Sequence, residues 1–353
     1  MSNNNLYRKT FGEIDLSDPF FDSLKADYDK FEDWFLRKSK EYAFVQYNEQ
    51  DKLTGFLYFK VEENSVLDVI PSIIAERILK VGTFKIDAHG TKMGEQFIKV
   101  IMDYALNENV DLCYVTIYEK DRTQPLIELV ERFGFKKYGI KGSKENHELV
   151  LVKNMRKVTG NICEDYPVIG IDGRRKFMLS IYPKYHSIML PDSILTTENK
   201  SIIKDISYTN SIHKIYVCSM SGVENLRYGD VLVLYRTEES GRKAEYSAVA
   251  TSICIVEDVK EQGDFLSFEE FYKYASQYSV FDKDDLLYWY RKGGLKAIKF
   301  TYNVALNKRV VRHDLIEKIG LSRDIYWGFF ELTDDEFLKI ADAGKVSQSI
   351  KNI

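Results

Sequence analysis

At 353 residues the chain is long enough for about two domains, each able to bury its own core. With 44% hydrophobic and 29% charged residues, 24 Tyr and 21 Phe, it has the balance of a folded globular protein and not of a disordered one. A formal net charge of -4 excludes a globally basic nucleic-acid binder, though not a local basic face. No apolar run approaches the roughly 20 residues of a membrane span, and the opening MSNNNLYRKTFGEID lacks the apolar core of a signal peptide, so a cytoplasmic protein is expected. Cys113, Cys163, Cys218 and Cys254 are scattered without CxxC spacing. They are expected to be buried thiols, with no disulfide framework and no metal site.

The first 155 residues alternate strand and helix patterns, the mark of an α/β (α+β) unit. NLYRKTFGEI is expected as an opening strand, followed by a helical segment with Phe20, Leu24, Tyr28, Phe31 and Phe35 at helical spacing. YAFVQYN and GFLYFKVE, joined by EQDKLT, read as an antiparallel hairpin. A short helix is expected over Pro71 to Leu79, then the strand KVGTFKI and a glycine turn. The helix after the turn carries Met93, Phe97, Val100, Ile101 and Tyr104 on one side. The strand LCYVTIY follows, then a helix opening near Pro125 and ending at Gly134, and last the strand HELVLVK.

The turn HGTKMGE joins a strand directly to a long helix. Gly90 and Gly94 allow close approach to the main chain, first-turn N–H groups point outward with partial positive charge, and Lys92 adds a full charge. Such a turn suits a pyrophosphate. It is neither a P-loop, since no Gly-Lys-Ser/Thr follows, nor a dinucleotide fingerprint, since it has only two glycines.

Strand, HGTKMGE turn, long helix, strand and a helix ending ERFGF together resemble the Gcn5-related N-acetyltransferase (GNAT) family over about residues 5 to 155. In that family Arg or Gln, two residues, Gly, one residue and Gly or Ala form the acetyl-CoA pyrophosphate loop. Here His89 stands at the Arg/Gln position, Lys92 at the first loop glycine and Gly94 at the last small residue. The resemblance implies a mixed sheet flanked by helices that binds acetyl-CoA through Phe84, Ile86, His89, Gly90, Thr91, Lys92, Met93, Gly94 and Glu95. It also implies direct transfer to an amine, with an oxyanion held by a main-chain N–H of the strand Gly82 to Ile86. The tyrosine that commonly protonates the leaving thiolate is replaced by Val130, which leaves Tyr118 and Tyr138 as candidate acids; Asp87 and Glu119 are candidate bases.

From about Met155 the pattern changes: residues 156–170 read as a linker and 171–353 as a second domain of short strands, FMLSIY, KIYVCSM, DVLVLYR and YSAVATSICIVEDV. Helices are expected late, around SFEEFYKYASQY and DKDDLLYWYRK. The GD turn before a strand in SGVENLRYGDVLVLYR, with the strand after it, resembles the ASCH branch of the PUA-like superfamily, which implies a small β-barrel and binding of RNA or modified bases. Arg291, Lys292, Lys296, Lys299, Lys308, Arg309 and Arg312 have no acidic residue between them and neighbour Trp289 and Tyr302, the pairing of cations and stacking faces that unpaired RNA needs. The acidic stretch Glu261 to Asp285 is the alternative partner for these cations.

The reading is an acetyl-CoA-dependent N-acetyltransferase whose acceptor is RNA-linked, such as an aminoacyl-tRNA or a translation protein. The alternative is a non-catalytic nucleic-acid-binding regulator with a degenerate CoA-binding domain.

Overall fold

The computed structural model describes residues 6–48, 50–87, 90–193, 207–239 and 241–351. They divide into two compact units, with the boundary between Arg156 and Lys157.

In the first unit the strands are β1 (Leu6–Thr10), β2 (Tyr42–Tyr47), β3 (Leu53–Val66), β4 (Ile73–Ile86), β5 (Leu112–Ile117), β6 (Lys136–Gly142) and β7 (His147–Asn154). They form one mixed sheet in the order β1-β2-β3-β4-β5-β7-β6. Of the helices, α1 (Asp22–Asp27) follows a Pro19 turn capped by Asp18, whose carboxylate accepts from the Phe20 N–H at 2.8 Å. Next, α2 (Phe31–Arg37) buries Phe31 and Phe35, one turn apart, against Phe11, Phe21, Phe56 and Tyr58. The remaining two are α3 (Met93–Asn107), whose Phe97 ring lies 5.5 Å from that of Phe84, and α4 (Gln124–Arg132).

The helix expected over Pro71 to Leu79 is instead the first half of β4, paired with β3 from Val66↔Ile73 to Gly55↔Ile86. Ala75, Glu76, Arg77 and Leu79 favour a helix locally, but the long antiparallel partner outweighs propensities worth tenths of a kcal/mol each. The strand β6 is an addition to the elements expected from the sequence; its Lys136–Gly142 stretch is nearly all polar or glycine and has no apolar alternation to reveal it.

The second unit contains β8 (Ile169–Gly170), β9 (Lys176–Ile181), β10 (His213–Cys218), β11 (Val231–Arg236), β12 (Val249–Glu261), β13 (Lys296–Val311), β14 (Phe329–Leu332) and β15 (Ile350–Lys351). Six of these form a sheet in the order β10-β13-β12-β11-β9-β14, while β8 and β15 pair separately. Among the described residues the large sheet is open, with β10 and β14 at its two edges, so the closed barrel expected from the sequence is not found. Its helices include α5 (Ile162–Asp165), α6 (Pro183–Met189), α7 (Phe268–Ala275), α8 (Lys283–Lys292) and α9 (Asp334–Ala343).

Alternation sets the two faces of this sheet. Leu179, Leu232 and Leu234 pack with Phe271 of α7 and Leu286 of α8. Met178, Val231 and Val233, the intervening residues, pack with Phe337 and Ile340 of α9. The segment read as a linker already belongs to this unit, since Ile162, Tyr166 and Ile169 are all at most 1% exposed. None of the four cysteines is in a disulfide; Cys113, Cys218 and Cys254 are buried, whereas Cys163, also expected to be buried, is only half-buried, and burial pushes Cys113 up to about 12 and Cys218 up to about 11. No described helix is long and apolar enough to cross a membrane.

Candidate active site

The first unit's cleft originates in a break between neighbouring strands. Parallel β4 and β5 pair only over Ile78–Val81 and Leu112–Val115. Beyond that point β4 continues on β3 to Ile86, and β5 continues on β7 to Ile117. From Gly82 and Thr116 onward the facing edges therefore have no ladder partner in each other, and main-chain polar groups there are open to a ligand. A cavity of about 670 Å³ opens at the break, lined by Gly82, Thr83 and Phe84 on one side and by Thr116, Ile117 and Tyr118 on the other.

At the far end of β4 the chain turns into α3. Gly90 (φ 78°) and Lys92 (φ 58°) are both left-handed, a conformation natural to glycine and costing a lysine about 1–2 kcal/mol. Among the described residues, a Cβ on Gly90 would meet nothing within 4 Å, so that side of the turn is open. Lys92 is the N-cap of α3 and makes no side-chain capping bond, while the Glu95 N–H bonds back to Lys92 O at 2.9 Å.

Not all of the expected cradle residues face that space. Met93 and Glu95 are 2% and 4% exposed, and Glu95 pairs with Arg132 of α4 at 3.1 Å while its N–H is taken by Lys92 O, so Met93 can serve a ligand only through the main chain and Glu95 is held by the fold. Gly94 faces the next helix: a Cβ there would lie 2.7 Å from Leu129 Cδ2, so this glycine lets α3 approach α4. Thr91 and Ile86 are half-buried beside the turn, and Phe84 lines the cleft. His89 lies outside the described residues.

The candidate catalytic residues separate clearly. Tyr118 lines the cleft, its ring 5.3 Å from that of Tyr28. Tyr138 does not line it; its hydroxyl donates to Ser72 O at 2.9 Å. Asp87 is exposed beyond the end of β4, with its N–H on Thr54 O, and Glu119 is exposed and paired with Lys137 at 3.3 Å; neither lines the cleft. Val130, at the position where the family commonly has tyrosine, is 2% exposed.

Glu148, which no sequence motif marks, and Tyr28, expected only as one of a row of helix-face residues, meet at the cleft. Glu148 of β7, 8% exposed, accepts from Tyr28 Oη at 2.7 Å and from Thr116 Oγ1 at 3.0 Å, both on Oε1. Burial, and then the adjacent Glu148 charge, push the Tyr28 phenol above its ordinary range, so Tyr28 acts as a donor that holds the carboxylate. The preceding residue, Asp27, pairs with Lys120 at 2.5 Å and with Arg122. Burial would raise the Asp27 pKa, but these two cations hold it below the usual carboxylate range. A signal for Glu148 was present: it occupies the same strand face as Val150 and Val152, so alternation turns it inward.

In the second unit the basic run is dispersed. Lys296 and Lys308 sit twelve residues apart on β13, about 40 Å at the rise of a strand. Lys296 pairs with Glu224 at 3.2 Å and Lys299 with Glu257 at 2.8 Å, neither partner lying in the acidic helices after Glu261. Arg309 donates to Leu306 O and to Asp192 O, and Arg312 lies 4.3 Å over the Trp327 ring. Tyr302 is 1% exposed and bonded to Ser193 Oγ at 2.7 Å, so it offers no stacking face. Trp289 is half-buried with Lys292 4.7 Å over its ring, while Arg291, Lys292 and Lys308 are exposed.

No protein-family model matches the chain, and no curated protein matches it. Among solved structures, the ASCH protein of Zymomonas mobilis aligns with a TM-score of 0.33 at 9% identity, over 47% of this chain and 94% of that one. Aminoglycoside 6'-acetyltransferase type Ii aligns at 0.29 with 14% identity, over 43% of this chain and 99% of that one. Arylalkylamine N-acetyltransferase 2 from Aedes aegypti aligns at 0.31 with 10% identity, over 43% and 99% respectively. The structural neighbours thus include an ASCH protein and acetyltransferases, each aligned over less than half of this chain.

Proposed function

We propose that the first unit is a GNAT-type N-acetyltransferase that uses acetyl-CoA, joined to an ASCH-type second unit. The observation that supports it best is the parting of β4 from β5 just before a left-handed turn into α3, with Tyr118 and the Tyr28–Glu148 pair at the gap. Acetyl-CoA supplies the acetyl group as an activated thioester. The open space above Gly90 and the first-turn N–H groups of α3 fit its pyrophosphate, with Lys92 adding charge.

Each remaining group has a role set by position. Main-chain N–H groups on the free edge of β4, from Gly82 to Phe84, offer hydrogen bonds to an acyl oxygen whose charge grows during transfer. Glu148, oriented by two hydroxyls on one oxygen, accepts a proton from the incoming amine. The Tyr118 hydroxyl offers a proton to the departing sulfur. Tyr138 and Asp87 have no part in this arrangement.

The RNA-linked acceptor lacks support from the basic run, where Lys296, Lys299 and Tyr302 are committed to the fold. Calorimetry of the full chain with acetyl-CoA, followed by detection of free thiol in the presence of mixed amines, tests the reading. Absence of binding would refute it; binding without turnover on any amine would favour the cofactor-sensing regulator.

A further inference from the structure

The geometry points to an oxyanion subsite formed by Lys60, Lys80 and Lys141 in the cleft, and so to an acceptor amine that carries a carboxylate or phosphate group. This rests on the acetyltransferase reading for the word acceptor, but it comes from a different wall of the cleft.

Lys60 of β3 and Lys80 of β4 are direct cross-strand partners, an arrangement in which like charges repel. Lys141 of β6 comes up beside them, and all three line the cavity. Two carboxylates pair with them directly. Glu62 Oε1 lies 2.8 Å from Lys60 but 3.8 Å from Lys80, beyond hydrogen-bonding reach, while its Oε2 takes the Tyr114 hydroxyl at 2.8 Å. Asp68 holds Lys141 at 2.6 Å. Glu62 and Asp68 are the carboxylates within ion-pair distance of the three ammonium groups, while the Glu148 and Glu41 charges act on Lys141 and Lys60 from further off; the least closely paired, Lys80, is also the least exposed, with 20% of its side chain in contact with solvent.

Burial, followed by the Lys141 charge, lowers the Lys80 pKa. A half-buried ammonium facing two others is costly, and an anion placed among the three would relieve that cost.

The anion belongs to the acceptor and not to the cofactor, because of where it sits. Lys80 lies in the paired part of β4, before the break. Six residues separate it from Ile86, about 20 Å of strand, and the turn that fits the pyrophosphate comes later still. Lys141 is instead the strand partner of Glu148, the proposed base. An amine delivered to Glu148 with its anionic group on the lysines is a small, compact molecule, such as an amino acid or a phosphorylated amine. Lysines act as point charges without the planar fork of arginine, so they accept either group.

The test uses the full chain saturated with CoA, so that the cradle is filled, and reads reductive methylation of individual lysines by mass spectrometry. Inorganic phosphate and acetate are added separately at constant ionic strength. Protection of Lys80 and Lys141 by about threefold or more, with no change at the exposed Lys52, is expected from at least one anion. Protection by phosphate alone assigns a phosphorylated amine, and by acetate alone a carboxylate. Lys80→Gln should remove protection at Lys141 and, with an anion-bearing acceptor, raise KM about tenfold without changing CoA affinity, while Lys80→Arg retains both. No protection by either anion in a protein that binds CoA would overturn the subsite. Protection in a protein that fails to bind CoA would support the subsite and overturn the acetyltransferase.

Discussion

Tyr28 donates to Glu148 across 2.7 Å, joining the end of the first helical segment to strand β7, 120 residues later. The bond leaves a buried carboxylate fixed at the point where β4 and β5 separate, which is where an acceptor amine would lose its proton. Glu148→Gln should lower turnover by about 10²- to 10⁴-fold with acetyl-CoA affinity unchanged. Tyr28→Phe should cost about 1–2 kcal/mol of stability, read by urea denaturation, because a buried acceptor loses one of its two hydroxyls. Wild-type turnover in Glu148→Gln would remove it as the base.

The two candidate acids can be distinguished by a pair of conservative variants. Tyr118→Phe should reduce turnover and leave cofactor binding intact, since it takes a proton donor out of the cleft and nothing else. Tyr138→Phe should leave the rate as it is, because its hydroxyl is spent on Ser72 O away from the cleft. Steady-state kinetics on both decide the matter, and the reverse pattern would place the reaction elsewhere.

Gly94 can be examined through its neighbour. Gly94→Val should destabilise the protein by about 1–3 kcal/mol, since the new side chain overlaps Leu129 Cδ2. Combining it with Leu129→Ala should recover a good part of that loss, as measured by thermal or urea unfolding. Equal stability losses in the single and double variants would show that the crowding is not between α3 and α4.

The second unit carries its own pH signature in His186, fully buried on α6 with Nε2 2.8 Å from Thr251 Oγ1. Burial, and then the nearby Arg236 and Arg309 charges, bring its pKa down to about 3. An unfolded histidine titrates near 6.5, so between about 6.5 and 3 the unfolded chain takes up a proton that the folded chain refuses. Its contribution is complete above pH 6.5 and declines as the solution is acidified, by at most about 1.4 kcal/mol per pH unit. Urea midpoints from pH 7.5 to pH 5 should fall more steeply for the wild type than for His186→Gln. Parallel profiles would mean that His186 is not held neutral.

Sequence alone was sufficient wherever the signal is local. Alternation in β9 and β11 specified two buried faces, because successive side chains on a strand must point to opposite sides. The HGTKMGE stretch marked the passage from strand to long helix, since glycine and left-handed backbone are needed at such a turn whatever packs around it. Spacing could equally place Tyr118 at the end of β5.

Tertiary pairing decided the rest. Ile73 to Leu79 became strand because β3 lay alongside to bond it, and a propensity of tenths of a kcal/mol cannot oppose a continuous ladder. The run from Arg291 to Arg312 looks like one basic face when written in a line, but a long strand draws it out and places Glu224 and Glu257, from distant parts of the chain, against two of its lysines. That Gly94 clears room for Leu129 depends on the position of α4, which the letter itself does not reveal. Tyr28, Thr116 and Glu148 likewise carry no shared motif, since a carboxylate is oriented by whatever hydroxyls the sheet and the α1 turn bring within 3 Å of it, and separation along the chain imposes no pattern on that meeting.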